Sequence, residues 1–173
     1  MRIREGKFSD AKAIARVHVD CWRTTYSGII KDEYLNRLSY EQRTELWERN
    51  ISRDDNHVFV AENPEGKIIG FVDGGRERSG NYPGYDGDIT SIYILSEYQG
   101  QGVGKQLLQV LFQRFISLQM NTALVWVLAD NSSKTFYENM GARLIVDNKS
   151  ITIGGDDLVL LAYGWDDIQL IAE

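Results

Sequence analysis

Three glycines between an apolar run and an amphipathic segment form the part of this chain with the clearest potential for chemistry. The apolar run, residues 89–95, is rich in β-branched and aromatic residues and predicts a strand. Gly100, Gly102 and Gly104 follow it, and beyond them apolar residues recur at spacings of three and four, which predicts a helix. The first amides of a helix have no internal partner, and glycines let an anion approach them. We therefore expect a pyrophosphate or a similar group over residues 100–105.

Two common phosphate-binding patterns do not fit this turn. The dinucleotide pattern G-x-G-x-x-G would require glycine at the position of Lys105. The P-loop pattern G-x-x-x-x-G-K-[ST] would require glycine in place of Gln99, and Ser or Thr in place of Gln106. A nucleotide-binding module therefore remains only as an alternative, which a titration with ATP would test.

The pattern that is present, Gln99-x-x-Gly102-x-Gly104, belongs to a different class of phosphate site. It resembles the [QR]-x-x-G-x-[GA] signature of the GCN5-related N-acetyltransferases, which move an acetyl group from acetyl-coenzyme A to an amine. The resemblance implies that this turn holds the pyrophosphate of coenzyme A. The cofactor-binding residues implied in the turn are Gln99, Gly100, Gln101, Gly102, Val103, Gly104 and Lys105. A glycine-rich turn without a ligand is the alternative interpretation.

A second segment, Asn131-x-x-Lys134-x-Phe136-Tyr137-x-x-x-Gly141, is similar to the N-x-x-[AS]-x-x-F-Y-x-x-x-G segment of the same family, with one residue fewer before Phe136. The resemblance implies that Asn131 contacts the pantetheine or phosphate region of the cofactor. It also places Tyr137 near the sulfur, as both a cofactor contact and a general acid that protonates the leaving thiolate. Lys134 replaces the small residue often found there, and we include it among the cofactor-binding residues. As alternatives, Asn131 only caps a helix and Tyr137 only packs.

The strand that precedes the glycine turn needs a neighbouring strand to build this site. The continuous apolar run 123–128 predicts a strand buried on both faces, and the intervening helix makes it parallel to the 89–95 strand. In the family that the chain resembles, these two strands part and the gap admits pantetheine. The resemblance thus implies that the backbone of Ile92, Tyr93 and Ile94 contacts the cofactor. It implies a mixed α/β fold, with a central mixed antiparallel and parallel sheet splayed at strands 4 and 5 and flanked by helices.

The acceptor side of the expected site is less well determined. The aromatic and hydroxyl-rich stretch 22–30 follows the first helix, where the resemblance implies a wall of the acceptor pocket. We assign Trp22 and Tyr26 to acceptor binding, with core packing as an equally good interpretation. Ser91 is also assigned there, since it stands where many relatives carry a glutamate base.

No general base can be assigned from the sequence. A serine at position 91 cannot act as a base unaided. Asp88 is three residues before Ser91, so in a regular strand its side chain would point to the opposite face. Glu97 belongs to the turn and Asp73 to the preceding hairpin, and a water relay is as good an explanation. The base would have to remove a proton from an alkyl amine with a pKa near 10. His18 is interpreted as structural.

Composition limits the alternatives. The 173 residues suit one domain, residues 1–173, with 43% hydrophobic and 25% charged residues. The net charge of −6 argues against nucleic-acid binding, and no apolar run is long enough for a membrane helix. Cys21 is the single cysteine, so we expect neither a disulfide nor a metal site.

These observations lead to a functional hypothesis. We expect a cytoplasmic acetyl-coenzyme A-dependent N-acetyltransferase whose acceptor carries an amine, with a homodimer left open. A non-catalytic acyl-coenzyme A sensor would share the cofactor motif and is the main alternative. Binding without turnover would favour the sensor.

The remaining patterns predict the elements around the site. Predicted helices cover 10–23, capped by Ser9 or Asp10, then 32–38, 40–51, and a short segment between Asn131 and Gly141. Predicted strands cover 1–5, 57–61, 67–73, 143–147, 150–153 and 158–163. Residues 74–87, with five glycines, are predicted to form a loop.

Overall fold

A computed structural model describes residues 1–173, the side chain of Asp147 excepted. The strands that it describes are β1 Arg2–Glu5, β2 His57–Glu62, β3 Ile68–Arg76, β4 Gly87–Ile94, β5 Ala123–Leu128, β6 Arg143–Ile153 and β7 Asp156–Trp165. The α-helices are α1 Ala11–Thr25, α2 Asp32–Asn36, α3 Tyr40–Ile51, α4 Val103–Ser117, α5 Lys134–Asn139 and α6 Gln169–Ala172. Short 3₁₀ turns cover Phe8–Asp10 and Ser96–Tyr98.

In the part of the chain that the structure describes, the strands form one sheet in the order β1-β2-β3-β4-β5-β7-β6. Strands β4 and β5 pair in parallel, and the other neighbouring strands pair antiparallel. Helix α4 connects β4 to β5, because parallel strands need a crossover. The mixed α/β fold and the βαβ crossover predicted from the sequence are confirmed.

Helices cover both faces of the sheet and bury its apolar side chains. Helix α4 covers one face, where Leu107, Leu111 and Phe112 are fully buried. Helices α1 and α3 cover the other face, where Ile14 and Trp47 pack against β2 and β3. Each such side chain stabilises the fold by about 1.5–3 kcal/mol relative to its exposed state. A third cluster joins the end of α1 to the β6–β7 hairpin.

The glycine-rich loop is shorter than predicted. Strand β3 continues through Gly74 and Gly75 to Arg76, and β4 begins at Gly87, so the connection comprises only 77–86. The two glycines are needed because the backbones approach closely: a Cβ on Gly74 would lie 2.5 Å from the Asp88 carbonyl oxygen. Glycines that permit close strand packing were thus interpreted as loop residues.

Two other expectations were also wrong, and one helix was missed. Residues 143–147 and 150–153 are not two strands but one, β6, whose pairing with β7 shifts register beside Val146 and beside Lys149. Helix α6 was not predicted from the sequence. Asp10 does not cap α1 through its side chain. Its carboxylate instead accepts from Arg4 at 2.7 Å and from the Lys7 backbone N–H at 2.7 Å.

Candidate active site

The two parallel strands at the centre of the sheet part after three paired positions. Gly87 pairs with Ala123, Asp88 with Leu124, and Ile89 with Val125. Strand β4 then continues to Ile94 without further pairing to β5. Backbone groups of β4 beyond Ile89 therefore face an opening on the β5 side, as the resemblance implied.

A β-bulge lies where the strands part. Gly74 of β3 stands opposite Ile89, but Asp73 stands opposite Ser91, so Thr90 is an extra residue in β4. The extra residue reverses side-chain alternation and brings Asp88 and Ser91 to the same face. Asp88 and Asp73 line one cavity, and Ser91 Oγ donates to Asp73 Oδ1. The expectation that Asp88 and Ser91 point to opposite faces of the strand was incorrect, because the bulge is not visible in the sequence.

The three glycines of the turn have two different roles. Gly100 and Gly102 adopt φ angles of +71° and +79°, in the left-handed region that glycine occupies without strain. A Cβ at either position would meet open space. A Cβ on Gly104 would instead lie 3.2 Å from both the Ile94 and Phe136 side chains. Gly100 and Gly102 thus shape the turn, and Gly104 lets α4 pack closely.

The backbone of this turn leaves N–H groups available to an anion. The Gln106 N–H donates to the Gly102 carbonyl at 3.2 Å, the first bond of the helix. Among the described residues, the N–H groups of 100–105 have no acceptor in the protein. The side chains of Gln99 and Gln101 donate to the carbonyls of Ile94 and Glu97 and brace the turn. The residues present therefore fit a diphosphate.

The segment that leads into α5 is held by its own side chains. Asn131, 5% exposed, accepts from the Ser133 N–H at 2.9 Å and from the Ser133 hydroxyl at 2.5 Å. Lys134 Nζ donates to the Ala129 carbonyl at 2.7 Å. Both residues predicted to bind the cofactor thus fix the start of α5, whatever further contact they make.

Phenol groups gather on the inner side of the opening. The hydroxyls of Tyr26 and Tyr93 hydrogen-bond at 2.9 Å. Tyr137 is buried against the ring of Trp165, 6.1 Å between centroids. Burial raises the pKa of the Tyr137 phenol, and the Tyr26 phenol nearby raises it further. Trp22 packs on Tyr26 at 4.9 Å between ring centroids. The structure thus brings together Trp22, Tyr26, Tyr93 and Tyr137.

Ser91, the third residue assigned to acceptor binding, precedes Tyr93 by two residues and lies on the same face of β4. Its hydrogen-bond partner Asp73 borders a cavity of about 360 Å³ on the α3 face of the sheet. Asp73 lines this cavity, is 1% exposed, and accepts from Ser91 and from Asn56 Nδ2 at 3.1 Å. Burial raises the pKa of Asp73 to about 6, and it does the same for Asp88.

Asp73 is the residue that the sequence interpretation named but did not assign. Its signal was present, because it is a lone carboxylate in the apolar run Ile68–Asp73. Such a residue inside a buried strand needs a partner or a function. Its contact with Ser91 depends on the register of β3 against β4, which the sequence does not reveal.

His18 is part of the packing, as expected, and Cys21 is buried beside it in the core. His18 Nδ1 accepts from Trp47 Nε1 at 3.0 Å, and burial lowers the pKa of this histidine to about 3. Burial raises the pKa of Cys21 to about 12, so the thiol is inert at neutral pH. The described side chains include no group of three or more His, Cys, Asp or Glu that could hold a metal ion. No helix in the described chain has the length and apolar character needed to cross a membrane.

Comparison with known proteins relates the chain to one protein family. The model of the acetyltransferase (GNAT) family matches residues 14–142, more than half of the chain. An uncharacterized N-acetyltransferase of Bacillus subtilis (strain 168), YuaI, is 37% identical over 169 residues, covering 98% of this chain and 95% of the relative.

Solved structures share the fold at lower sequence identity. The PaiA N-acetyltransferase of Thermoplasma acidophilum, in complex with coenzyme A, superposes with a TM-score of 0.75 at 21% identity, covering 95% of this chain and 98% of that one. The ribosomal-protein-alanine N-acetyltransferase of Brucella melitensis gives a TM-score of 0.73 at 24% identity, covering 95% and 99%. The chain belongs to the acetyltransferase (GNAT) family.

Proposed function

We propose that this protein transfers the acetyl group of acetyl-coenzyme A to a primary amine, by direct attack of the amine on the thioester. One observation carries the proposal. The opening between β4 and β5 lies beside the unpaired N–H groups of residues 100–105, so a single extended ligand can occupy both. The PaiA structure, which shares the fold and is in complex with coenzyme A, supports coenzyme A as the ligand.

The chain would hold the cofactor mainly through backbone groups. The N–H groups at the start of α4 and the helix dipole favour the diphosphate. The β5 side of Ile92, Tyr93 and Ile94 has no strand partner and can pair with the amides of pantetheine. Bound in this way, acetyl-coenzyme A supplies an acetyl group already activated as a thioester.

Tyr137 is proposed to protonate the sulfur that leaves. Its phenol is buried, and burial raises its pKa, which by itself makes it a weaker acid. A thiolate that forms in the same dry opening is destabilised by the same loss of water, so its proton affinity rises as well. The pKa values of the phenol and of the thiol therefore rise together, and Tyr137 can still protonate the sulfur.

The acceptor would approach from the face opposite to α4. The cavity on that face reaches Thr90 and Trp126, which stand on the two strands where they part. Trp22 and Tyr26 are proposed to line the inner wall, because both adjoin Tyr93 of β4 through the cluster described above.

Calorimetric titration with acetyl-coenzyme A, together with a thiol-release assay over a panel of amines, tests this function. We expect binding of one acetyl-coenzyme A per chain and thiol release that depends on an amine. The panel should contain diamines, amino acids, peptides with free N-termini and peptides with lysine. Binding without thiol release would favour the sensor, and absence of binding would contradict the placement of the cofactor.

A further inference from the structure

We propose that Asp73, reached through the hydroxyl of Ser91, accepts the proton that the acceptor amine must lose before it attacks. This inference rests on the proposed acetyltransfer and identifies the base that the sequence left unassigned. Ser91 would touch the amine, and Asp73 would act through Ser91.

Ser91 lies beside the opening of the sheet. The last pair between β4 and β5 is Ile89 with Val125, and Ser91 follows two residues later, just beyond the bulge at Thr90. Its Oγ donates to Asp73 Oδ1 on the neighbouring strand β3. An amine placed where the strands part would therefore have a hydroxyl beside it and a carboxylate directly behind that hydroxyl.

Asp73 has the surroundings that a proton acceptor needs. It is 1% exposed, yet it lines the cavity, so a proton can pass from it to water in the cavity. Asn56 Nδ2 donates to its second oxygen at 3.1 Å, which orients the carboxylate toward Ser91. Burial raises the pKa of Asp73 to about 6, which leaves it ionised at neutral pH and able to bind a proton.

Asp88 is the competing carboxylate in the same cavity. Asp88 pairs with Leu124, in the part of β4 that is hydrogen-bonded to β5, whereas Ser91 lies beyond that part. Among the described residues, Asp88 has no side-chain hydrogen bond, so no hydroxyl connects it to the opening. The other charged side chains facing the cavity are Arg53, Asp55, Arg76, Glu77, Arg78 and Lys149. Arg53 and Arg78 both pair with Asp55.

The step balances in atoms and charge. An alkylammonium ion gives one proton to Ser91 Oγ while the original Ser91 proton moves to Asp73. The neutral nitrogen then bonds to the acetyl carbon, and the carbon–sulfur bond breaks with its electron pair on sulfur. Tyr137 protonates the sulfur and regains a proton from the nitrogen as the amide forms. The products are the amide, free coenzyme A and one proton that leaves Asp73 for the cavity.

Burial narrows the difference in pKa between the alkylammonium ion and the Asp73 carboxyl. An alkylammonium has a pKa near 10 in water, about four units above Asp73. The same loss of water that raises the pKa of a carboxyl lowers that of an ammonium ion. An ammonium ion that loses part of its water as it binds beside Ser91 therefore has a pKa closer to that of Asp73.

The experiment compares Asp73→Asn, Ser91→Ala and the matched control Asp88→Asn. We would measure kcat and KM from pH 5 to 9 with the best amine of the panel, and the Kd for acetyl-coenzyme A by calorimetry. In the wild type, kcat should fall as the pH drops below about 6, because Asp73 must be ionised to accept a proton. Asp73→Asn should lower kcat about 100-fold or more and abolish this decline.

The other two variants separate the alternatives. Ser91→Ala should lower kcat while the carboxylate remains. Asp88→Asn should keep the decline below pH 6, and any effect it has should fall on KM. All three should keep the Kd for acetyl-coenzyme A within about twofold of wild type. If Asp73→Asn does not fold, as judged by thermal melting, Ser91→Ala decides the matter, and an unchanged kcat overturns the relay.

Failure of the inference can be distinguished from failure of the proposed function. A wild type that acetylates an amine, with Asp73→Asn retaining kcat within threefold or keeping the acidic decline, overturns only the role of Asp73. Loss of the decline in Asp88→Asn instead assigns the base to Asp88. A wild type that binds acetyl-coenzyme A but releases no thiol with any amine overturns both.

Discussion

The hydroxyl of Tyr26, at the end of α1, lies 2.9 Å from the hydroxyl of Tyr93, on β4. This bond connects the helix that follows the first strand to the strand that lines the opening. Burial raises the pKa of both phenols, so both stay protonated and one donates to the other. The pair fixes the inner wall of the proposed acceptor site.

Replacing Tyr26 with phenylalanine removes one partner of this bond and leaves the other buried. We expect Tyr26→Phe to lower the free energy of unfolding by about 1–3 kcal/mol, the usual penalty for an unpaired buried polar group. Urea denaturation followed by fluorescence measures the change. Tyr34→Phe is the matched control, because Tyr34 packs near the same cluster without a described hydroxyl hydrogen bond. If Tyr26→Phe and Tyr34→Phe lowered the free energy of unfolding equally, the hydrogen bond between Tyr26 and Tyr93 would not be important for stability.

A charge at Gly102 tests whether the glycine turn binds a diphosphate. Gly102 has φ +79° and open space at its Cβ, so Gly102→Glu should fold with a strain of about 1–2 kcal/mol. Its carboxylate would stand where the anion is expected, and affinity for acetyl-coenzyme A should fall at least 100-fold by calorimetry.

Gly66→Glu provides the control for this variant. Gly66 has φ +78° and equally open space, but it lies in the turn between β2 and β3 and not in the glycine turn. Both variants should lose similar stability, and only Gly102→Glu should lose affinity. Unchanged affinity in Gly102→Glu would refute the placement of the diphosphate.

Removal of the Tyr137 hydroxyl tests the proton donor. Tyr137→Phe keeps the ring that packs against Trp165, so binding of acetyl-coenzyme A should change less than about threefold. We expect kcat to fall about 10²-fold, within the usual contribution of a general acid. Because the pKa of this phenol is raised, the wild type should show no decline of kcat from its ionisation below pH 10. A rate equal to wild type in Tyr137→Phe would remove the residue from the mechanism.

The parts of the fold that follow from periodicity were predictable. The 89–95 and 123–128 runs gave the parallel pair correctly, because an apolar run buried on both faces is recognisable without its partners. The bulge at Thr90 was not predictable, since it is defined only by the register of β3 against β4. The same register determines the contact between Ser91 and Asp73, so the proposed base could not be assigned from sequence.

Local hydrogen bonds explain why motif residues can be recognised while their contacts cannot. Asn131 matched a family segment and Lys134 stands where that segment has a small residue, yet their side chains bind Ser133 and the Ala129 carbonyl. A sequence pattern does not distinguish a side chain that holds a ligand from one that shapes the loop beside it. Gly104 shows the same ambiguity, because its space is taken by Ile94 and Phe136.

Asp73 should destabilise the protein at neutral pH. Its folded pKa of about 6 lies above the value near 3.9 of an unfolded aspartate, because the folded state disfavours the charge. Below pH 4 the carboxyl is protonated in both states and has no such cost. The destabilisation therefore grows as the pH rises from about 4 to 6 and is complete above 6. A difference of two pKa units lowers the free energy of unfolding by about 3 kcal/mol.

Asp73→Asn should consequently raise the free energy of unfolding at pH 7 by about 1–3 kcal/mol, since part of the gain is lost through altered bonds to Ser91 and Asn56. Urea denaturation at pH 4 and at pH 7 measures it, and the gain should vanish at pH 4, where the wild-type carboxyl is already neutral. A variant that is more stable at pH 7 yet turns over more slowly would show that the buried charge is retained for catalysis. A loss of stability at pH 7 would mean instead that the ionised carboxylate holds β3 against β4.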